Sequence, residues 1–381
     1  MRSYKVLYLQ YSNPGAYPPL INSAHIFAKQ GARVAVLGTR AVGAQQLTFT
    51  PHGRIGVHIM PYVVAGWTQK IHFALYIFWV AMWALLWRPS LIYASDPLSA
   101  PAALLGKMFC RAKLIYHEHD SPSPVPASLP MSAVSRLRDA VARIADIVVV
   151  PNETRATLLA TSCSIGPERV HVVWNCPLAA EAEHERASAG ALDDFWLLFH
   201  GSISTDLLPF SILEAMVGLP HMVKLRVIGY ETIGSLGYVA RFLERAKSLG
   251  LTDRVEFLGS MPRSELPTWG RKSDVGLVLL PNKSNNVNLQ HLVGASNKAF
   301  DYLAAGCALL VPETAEWQTT FVQPGYAVSC DPGDTLSIAS SLKHLLDLPN
   351  RGRELGRAGQ ARIRSEWNYE AQFDPILRRL N

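Results

Sequence analysis

The sequence predicts an α/β protein made of two doubly wound parallel-sheet domains, and three observations carry that prediction. Short aliphatic or β-branched runs alternate with helical stretches along almost the whole chain, the rhythm of parallel strands covered on both faces. One stretch, Leu178–Asp194 (LAAEAEHERASAGALDD), interrupts that rhythm with no apolar periodicity and reads as a connection. Finally, 381 residues, 49% hydrophobic and 17% charged, exceed one compact core and suffice for two. The expected division is a first domain over 1–178, a linker over 179–194 and a second domain over 195–365.

In the first half, strands are expected at Lys5–Leu9, Arg33–Leu37, Gly56–Met60, Leu91–Ala94, Lys113–Tyr116, Ile147–Val150 and His171–Trp174. Helices are expected between most of them, at Pro19–Gln30, Ile71–Trp87, Ala100–Phe109, Met131–Ile144 and Glu153–Ala160. Gly31 supplies a C-terminal stop for the first. The second half repeats the pattern. Its strands are expected at Trp196–His200, Lys224–Ile228, Val255–Leu258, Val275–Leu280, Ala308–Val311 and Ala327–Ser329. Its helices are expected at Pro209–Met216, Gly237–Leu249, Arg263–Trp269, Asn297–Ala305, Trp317–Val322, Thr335–Leu346 and Arg351–Glu366.

The helix over 71–87 (IHFALYIFWVAMWALLW) is uncharged, with Trp79, Trp83 and Trp87 on one face. A spanning helix needs about 20 apolar residues, and Arg88-Pro89 ends this run slightly short. Three readings stand: a core helix, a helix lying partly in a membrane surface, or a span. Indole, apolar in body with a polar N–H, suits the second.

The net charge is +6 and the pI about 9.0. Basic residues occur in short groups (Arg136, Arg138 and Arg143; 351–364) that read as solvated helix faces. They do not alternate with aromatics along one element, so nucleic acid is not an expected partner. Five scattered cysteines without metal or redox spacing point to a reducing compartment. The N-terminus enters a strand directly without signal-peptide organisation. A cytoplasmic location is expected.

In doubly wound sheets, ligands bind at the carboxyl ends of the strands, which directs attention to four strand-to-helix turns. In Tyr11–Pro19, Gly15 lets backbone approach a ligand closely, although any tight turn wants a glycine. In Tyr116-His117-Glu118-His119-Asp120, the four residues from His117 to Asp120 all titrate and are costly to bury unpaired. A histidine there can donate to a sugar hydroxyl or an oxyanion; a metal site or plain surface polarity are the other readings. In Phe199-His200-Gly201-Ser202-Ile203-Ser204, small residues leave amides free for a diphosphate. No GxGxxG occurs, which disfavours an ordinary dinucleotide fold. In Gly294–Gly306, Ser296 is an N-cap, and Asn297 and Lys298 lie in the first turn, where free amides, dipole and ammonium suit a diphosphate. Asp301 lies one turn on, where a carboxylate accepts both ribose hydroxyls. The alternative there is a capped helix with a Lys298–Asp301 surface pair.

In this order, the turns resemble the retaining GT-B glycosyltransferases of glycosyltransferase family four. The resemblance is clearest in LIYASDPLSAPAALLGKMFCRAKLIYHEHD, VEFLGSMPRSEL, SDVGLVLLP and SNKAFDYLAAGCALLVPE, and SEWNYEAQF resembles the family's late aromatic turn. It implies two Rossmann-like domains facing a central cleft, with acceptor binding in the first and nucleotide-sugar binding in the second. The closing segment, 366–381, crosses back to the first domain. His119 matches the family's sugar-contacting histidine, and Asp301 the ribose-holding second acid of its Glu–seven residues–Glu motif. Gly15 and Gly201 match the loops that face the diphosphate, and Lys298 a basic residue near the phosphates. Ser202, Ser296 and Asn297 complete the expected donor site, and His119 with Asp120 are the catalytic candidates. Three departures stand out. Val293 occupies the first acid's place, an Asn-rich loop (Asn285, Asn286, Asn288) resembles that of a family subset as a possible sugar or donor contact, and SISTDLLPF lacks the usual Arg and Lys.

The resemblance implies hexosyl transfer from a UDP- or GDP-linked sugar to an acceptor hydroxyl, with retention and without metal or cofactor. The nucleophile alternative, a carboxylate such as Asp120 or Glu118, lacks an evident acidic partner. A glycan or lipid-linked acceptor, met at the inner face of the cell membrane during polysaccharide assembly, fits the Trp-rich 71–87 stretch and the positive charge. A catalytically weak or silent partner subunit and a sugar-nucleotide epimerase of the same shape are the competing readings.

Overall fold

The computed structural model describes residues 4–41, 47–122, 129–184 and 194–380. The chain divides into two compact units, Met1–Asn175 with Tyr369–Asn381, and Cys176–Asn368.

Unit 1 carries seven strands, β1 (Lys5–Gln10), β2 (Arg33–Thr39), β3 (Ile55–Met60), β4 (Leu91–Ser95), β5 (Lys113–His117), β6 (Ile147–Val150) and β7 (Val170–Val172). All pair in parallel, in the order β3-β2-β1-β4-β5-β6-β7. The connecting helices are α1 (Pro18–Lys29), α2 (Trp67–Trp87), α3 (Ala100–Phe109), α4 (Leu129–Ile144) and α5 (Glu153–Cys163). Leu7, Leu9, Ile92, Ala94, Leu114 and Val148 meet Tyr76, Val80, Ala84, Ala103 and Val141 in one core. Val6, Tyr8, Tyr93, Ile115 and Val149, which alternate with them on the other face, are buried too, and this two-sided burial explains why the central strands read as unbroken apolar runs. The last helix, Tyr369–Leu380, also belongs to unit 1 and sets Phe373 against Phe27 of α1. Strand order reverses between β1 and β4, so the carboxyl ends of those two strands mark the switch point where such sheets bind ligands.

Helix α2 resolves part of the ambiguity over 71–87. It is 21 residues long, ending where Arg88 adopts a left-handed conformation (φ 50°) before Pro89. Its inner face (Tyr76, Val80, Ala81, Ala84) is core, and the Tyr76 hydroxyl bonds the Leu37 carbonyl. The three tryptophans are only half-buried: Trp83 packs on His58 and Trp87. The exposed residues are others, Trp67, Ile71, Leu75, Phe78, Leu85 and Leu86.

Unit 2 repeats the plan with β8 (Phe195–Ile203), β9 (Val223–Glu231), β10 (Val255–Gly259), β11 (Val275–Leu277), β12 (Ala308–Pro312) and β13 (Ala327–Cys330). The order is β10-β9-β8-β11-β12-β13, again parallel, with the reversal between β8 and β11. Its helices are α6 (Ser211–Val217), α7 (Tyr238–Ser248), α8 (Leu266–Arg271), α9 (Val287–Gln290), α10 (Asn297–Ala304), α11 (Ala315–Trp317), α12 (Thr335–Asp347) and α13 (Arg353–Ser365). Every expected strand is present, with ends moved by at most three residues.

Two segments differ from expectation. Residues 179–182 of the expected linker form a 3-10 turn belonging to unit 2, held by Glu181 on Arg263 at 3.2 Å. Charge pairing fastens this turn, so apolar periodicity gave no sign of it. The rest of the linker, 185–193, lies outside the described residues. Within the Asn-rich loop the chain makes one short helix, α9, where the Asn286 side chain accepts from the Asn288 amide at 2.9 Å.

Candidate functional site

In unit 2 the site residues gather beside the β8/β11 reversal. Ser296 has extended backbone and its hydroxyl accepts the Lys298 amide at 3.3 Å, starting α10 as an N-cap does. This side chain takes one amide that the sequence reading left free for a ligand. Two other donors at the same helix end stand open among the described residues. The Asn297 side-chain nitrogen is buried without a hydrogen-bond acceptor. Burial pulls the Lys298 ammonium down to about 8, against the upward pull of Asp301. No carboxylate lies within salt-bridge distance of it among the described residues, and it sits 5.5 Å from the Phe199 ring centroid.

Gly201 explains where that lysine goes. Its φ of +111° is a conformation that only glycine adopts at ease, and a Cβ there would lie 2.9 Å from Lys298 Nζ. Gly201 and Ser202, expected in a turn, instead extend β8, paired with Gly229 and Tyr230 of β9, and Ile203 is the last rung. On its other side β8 pairs with β11 through Leu197 and Leu198 only. The strand therefore outruns one neighbour, which leaves one edge of the Gly201–Ile203 extension beside the lysine.

Asp301 makes no salt bridge with Lys298 among the described residues, so the alternative reading of a surface pair is not what forms here. Its two oxygens instead receive Arg263 NH2 and NH1 at 2.7 and 3.0 Å, and its side chain is 9% exposed. Arg263 is shared with Glu181, and His200 Nε2 lies 3.5 Å from Asp301 Oδ2. Burial, with Lys298 and Arg263 adding, lowers the His200 pKa well below its ordinary value, so its imidazole is neutral at pH 7. Leu266, Pro267, Ala304 and Ala305 line the pocket beside this group. Arg263 went unrecognised in sequence because it lies 38 positions before its partner. The MPRSEL run that holds it carries the family resemblance and a helix start, but no role for the arginine itself.

In unit 1 the expected active-site run is mostly interior. His117, Glu118 and His119 are 0%, 2% and 5% exposed. Glu118 is clamped by Arg138 through two contacts of 2.6 Å and by the Tyr116 hydroxyl at 2.6 Å, which removes it as a nucleophile. Asp120 is exposed, 3.7 Å from Arg155. The His119 ring lies 3.9 Å from that of His117, and both its nitrogens are without a hydrogen-bond partner among the described residues. Burial drives its pKa down to about 4, so it is a neutral imidazole at pH 7. An unmet buried donor or acceptor costs about 1–3 kcal/mol. Gln10 Oε1, Ser95 Oγ and His117 Nε2 are also unmet. Such a concentration at the ends of β1, β4 and β5 marks a place for a polar ligand.

Asp96, at the end of β4, was missed in sequence. Its φ is +66°, a strained value for a residue other than glycine. Its Oδ1 accepts the backbone N–H groups of His119 at 2.9 Å and Asp120 at 3.4 Å, and Gln10 donates to Oδ2 at 3.3 Å. Arg155, itself buried, donates to the His119 carbonyl. These bonds fix the loop that carries the histidine. Burial raises the Asp96 carboxyl to about 6 despite the amides it accepts.

Two expected site features carry less. Gly15 is buried in a 3-10 turn, and a Cβ there would collide with the backbone of Leu47 and Thr48, so chain packing alone requires it. Asn285 and Asn286 are exposed, and Asn288 half-exposed. Asn286 acts as a helix cap.

Residues 22–176 match the model of a glycosyl transferase 4-like domain, and residues 211–378 that of a glycosyl transferase-like domain. A sequence comparison with curated proteins returns no match. Among solved structures, the chain is similar to HepE of Anabaena in complex with UDP and glucose (TM-score 0.74, 18% identity, 99% of each chain). Sucrose-phosphate synthase of Thermosynechococcus elongatus is similar too (0.72, 16%, 99% of each). So is a UDP-forming α,α-trehalose-phosphate synthase of Burkholderia vietnamiensis (0.67, 16%, 99% of each). At these identities the likeness shows the fold, a GT-B architecture.

Proposed function

With two glycosyltransferase-family domains making up most of its length, the chain belongs among the GT-B glycosyltransferases, and we propose that it moves a hexose from a uridine diphosphate sugar to an acceptor hydroxyl with retention. The observation that carries the donor assignment is the end of α10. There Asn297 Nδ2 is buried without an acceptor, and the Lys298 ammonium, with no carboxylate in salt-bridge distance among the described residues, lies beside the positive-φ Gly201 and one turn from Asp301. These donors and a helix dipole suit a diphosphate, and the next turn offers the acceptor that ribose hydroxyls need. HepE is bound to UDP and glucose, and the trehalose-phosphate synthase is UDP-forming. Both support uridine over guanosine.

In this reading the C1–O bond to the diphosphate breaks while the acceptor oxygen bonds C1 from the same face. The acceptor proton passes to a diphosphate oxygen. Lys298 and the amides of α10 hold the departing charge, the task a divalent ion performs elsewhere, so transfer proceeds without metal. His119, neutral and held by Asp96, donates to the sugar. Asp120, exposed and beside Arg155, acts with it in orienting substrate. A lipid-linked acceptor at the inner face of the cell membrane, in glycan or polysaccharide assembly, completes the reading.

A panel of UDP- and GDP-sugars, assayed for nucleotide release with and without acceptor glycans, tests it. Acceptor-dependent UDP release, unchanged by chelator and giving product of unchanged anomeric configuration, is the expected result. Release independent of acceptor points instead to an epimerase. A chain that binds UDP without ever releasing it from a sugar is a silent partner subunit.

A further inference from the structure

We propose that unit 1 docks on an anionic lipid bilayer through the outer face of α2 and the end of α3, with α2 lying in the plane of the membrane surface. Helix α2 has two apolar faces with different fates. The inner one is part of the core, with Tyr76, Val80 and Ala84 at 0% exposure. The outer one (Trp67, Ile71, Leu75, Phe78, Leu85, Leu86) follows i, i+4, i+3 spacing and stays open, with Phe78 at 63% and Leu86 at 75%. Met108 and Phe109, at the end of α3, are exposed as well, at 75% and 48%. Only 28% of the apolar window of α2 is buried, although the helix has the length and composition of a span. Its inner face belongs to the sheet, so it can give lipid one side only, the habit of an interfacial helix.

Charge identifies the occupant. Residues 1–95 contain eight Lys and Arg (Arg2, Lys5, Lys29, Arg33, Arg40, Arg54, Lys70 and Arg88) and not one Asp or Glu. Beyond residue 95, 28 basic residues face all 30 acidic ones, so the whole positive excess of the chain lies in the part that carries α2. Lys70 sits at the start of the helix, over the Trp67 ring at 4.8 Å, and Arg88 caps its end. A stripe with indole and phenyl groups, bracketed by cations and free of carboxylates, complements an anionic lipid surface. A protein partner has no need of a quarter of a chain without acid. The proposal deepens the lipid-linked acceptor reading and rests on it for its purpose, since docking would bring unit 1 to an acceptor held in the bilayer.

The test is flotation of the full-length chain with vesicles of phosphatidylcholine alone or mixed with phosphatidylglycerol, beside a UDP thermal-shift assay. Wild type is expected to float with the anionic vesicles at low salt, at least tenfold more than with the neutral ones, and to be released by high salt. Leu75→Asp with Phe78→Asp should abolish flotation and leave the UDP shift intact, which shows that the variant is folded. Lys70→Ala with Arg88→Ala should weaken flotation and flatten its salt dependence. Wild type staying at the bottom with anionic vesicles, or the double aspartate variant floating like it, overturns the proposal. So does a wild-type dimer that the aspartates make monomeric and that never floats. Loss of the UDP response with flotation retained counts against the donor site and leaves the docking surface standing.

Discussion

The Arg263 guanidinium holds both oxygens of the Asp301 carboxylate, one nitrogen donating to each at 2.7 and 3.0 Å, with Glu181 on the same guanidinium at 3.2 Å. The acid proposed to hold ribose is therefore already engaged by protein. Each carboxylate oxygen keeps a second lone pair for a hydroxyl, and Glu181 gives Arg263 an alternative partner. Removing Arg263 strands an almost buried carboxylate, a loss of about 3–5 kcal/mol where the pair is fully enclosed and less for this partly exposed one. Arg263→Ala should lower Tm by several degrees, and Asp301→Asn should restore much of that loss in the double variant. Thermal unfolding of the four proteins measures the coupling. Strictly additive losses would show that the pair contributes nothing.

Lys298 makes donor binding depend on pH. Burial lowers its pKa to about 8, and a bound diphosphate would favour the charged form and raise it. The cation is present below about pH 8 and lost above it, so UDP affinity should fall as pH climbs from 8 to 10, with proton uptake on binding. Calorimetric titration in buffers of differing ionisation heat reads both. Lys298→Arg should flatten the profile, because guanidinium does not titrate in this range.

Gly201→Ala tests the same wall from the other side. A positive φ costs a β-carbon about 1–2 kcal/mol, and the new methyl would meet Lys298 Nζ at 2.9 Å. UDP affinity should drop about tenfold while the fold survives. Unchanged affinity would place the lysine outside the nucleotide site.

His119→Ala should cut turnover by orders of magnitude with little effect on UDP binding, whereas Asp301→Ala should chiefly weaken the donor. His119 is neutral above about pH 4, so it cannot supply an acid limb near pH 6. Asp96 can, because its carboxyl is raised to about 6 by burial. Below that pH it protonates, and its grip on the His119 and Asp120 amides weakens, so turnover should fall as pH drops through 6. Asp96→Asn should be slower by about tenfold and lose that limb. A limb that persists unchanged in Asp96→Asn belongs to another group.

The sequence revealed the architecture because burial on both sheet faces writes each central strand as a continuous apolar run. The central strands were legible for that reason, whereas the edge strands β3 and β10, which are half-buried or exposed, were legible from their short β-branched and aliphatic runs alone. Ser296, Lys298 and Asp301 were legible because a cap and one helical turn are local features. Arg263, Asp96 and Arg138 were not. Each acts on a partner 20 or more positions away, through a contact that only the fold creates. Glu118 shows the reverse error: its place in a polar run suggested chemistry, and Arg138 makes it structural. The tryptophans of α2 drew attention by type, yet periodicity alone does not say which flank of an all-apolar helix meets the sheet.

A crystal structure with bound UDP addresses the donor site most directly. Diphosphate oxygens within hydrogen-bond distance of Lys298 Nζ and Asn297 Nδ2, with ribose hydroxyls on Asp301, are expected. UDP bound at any other place, with Asp301 still held by Arg263 and touching no nucleotide atom, would contradict the assignment.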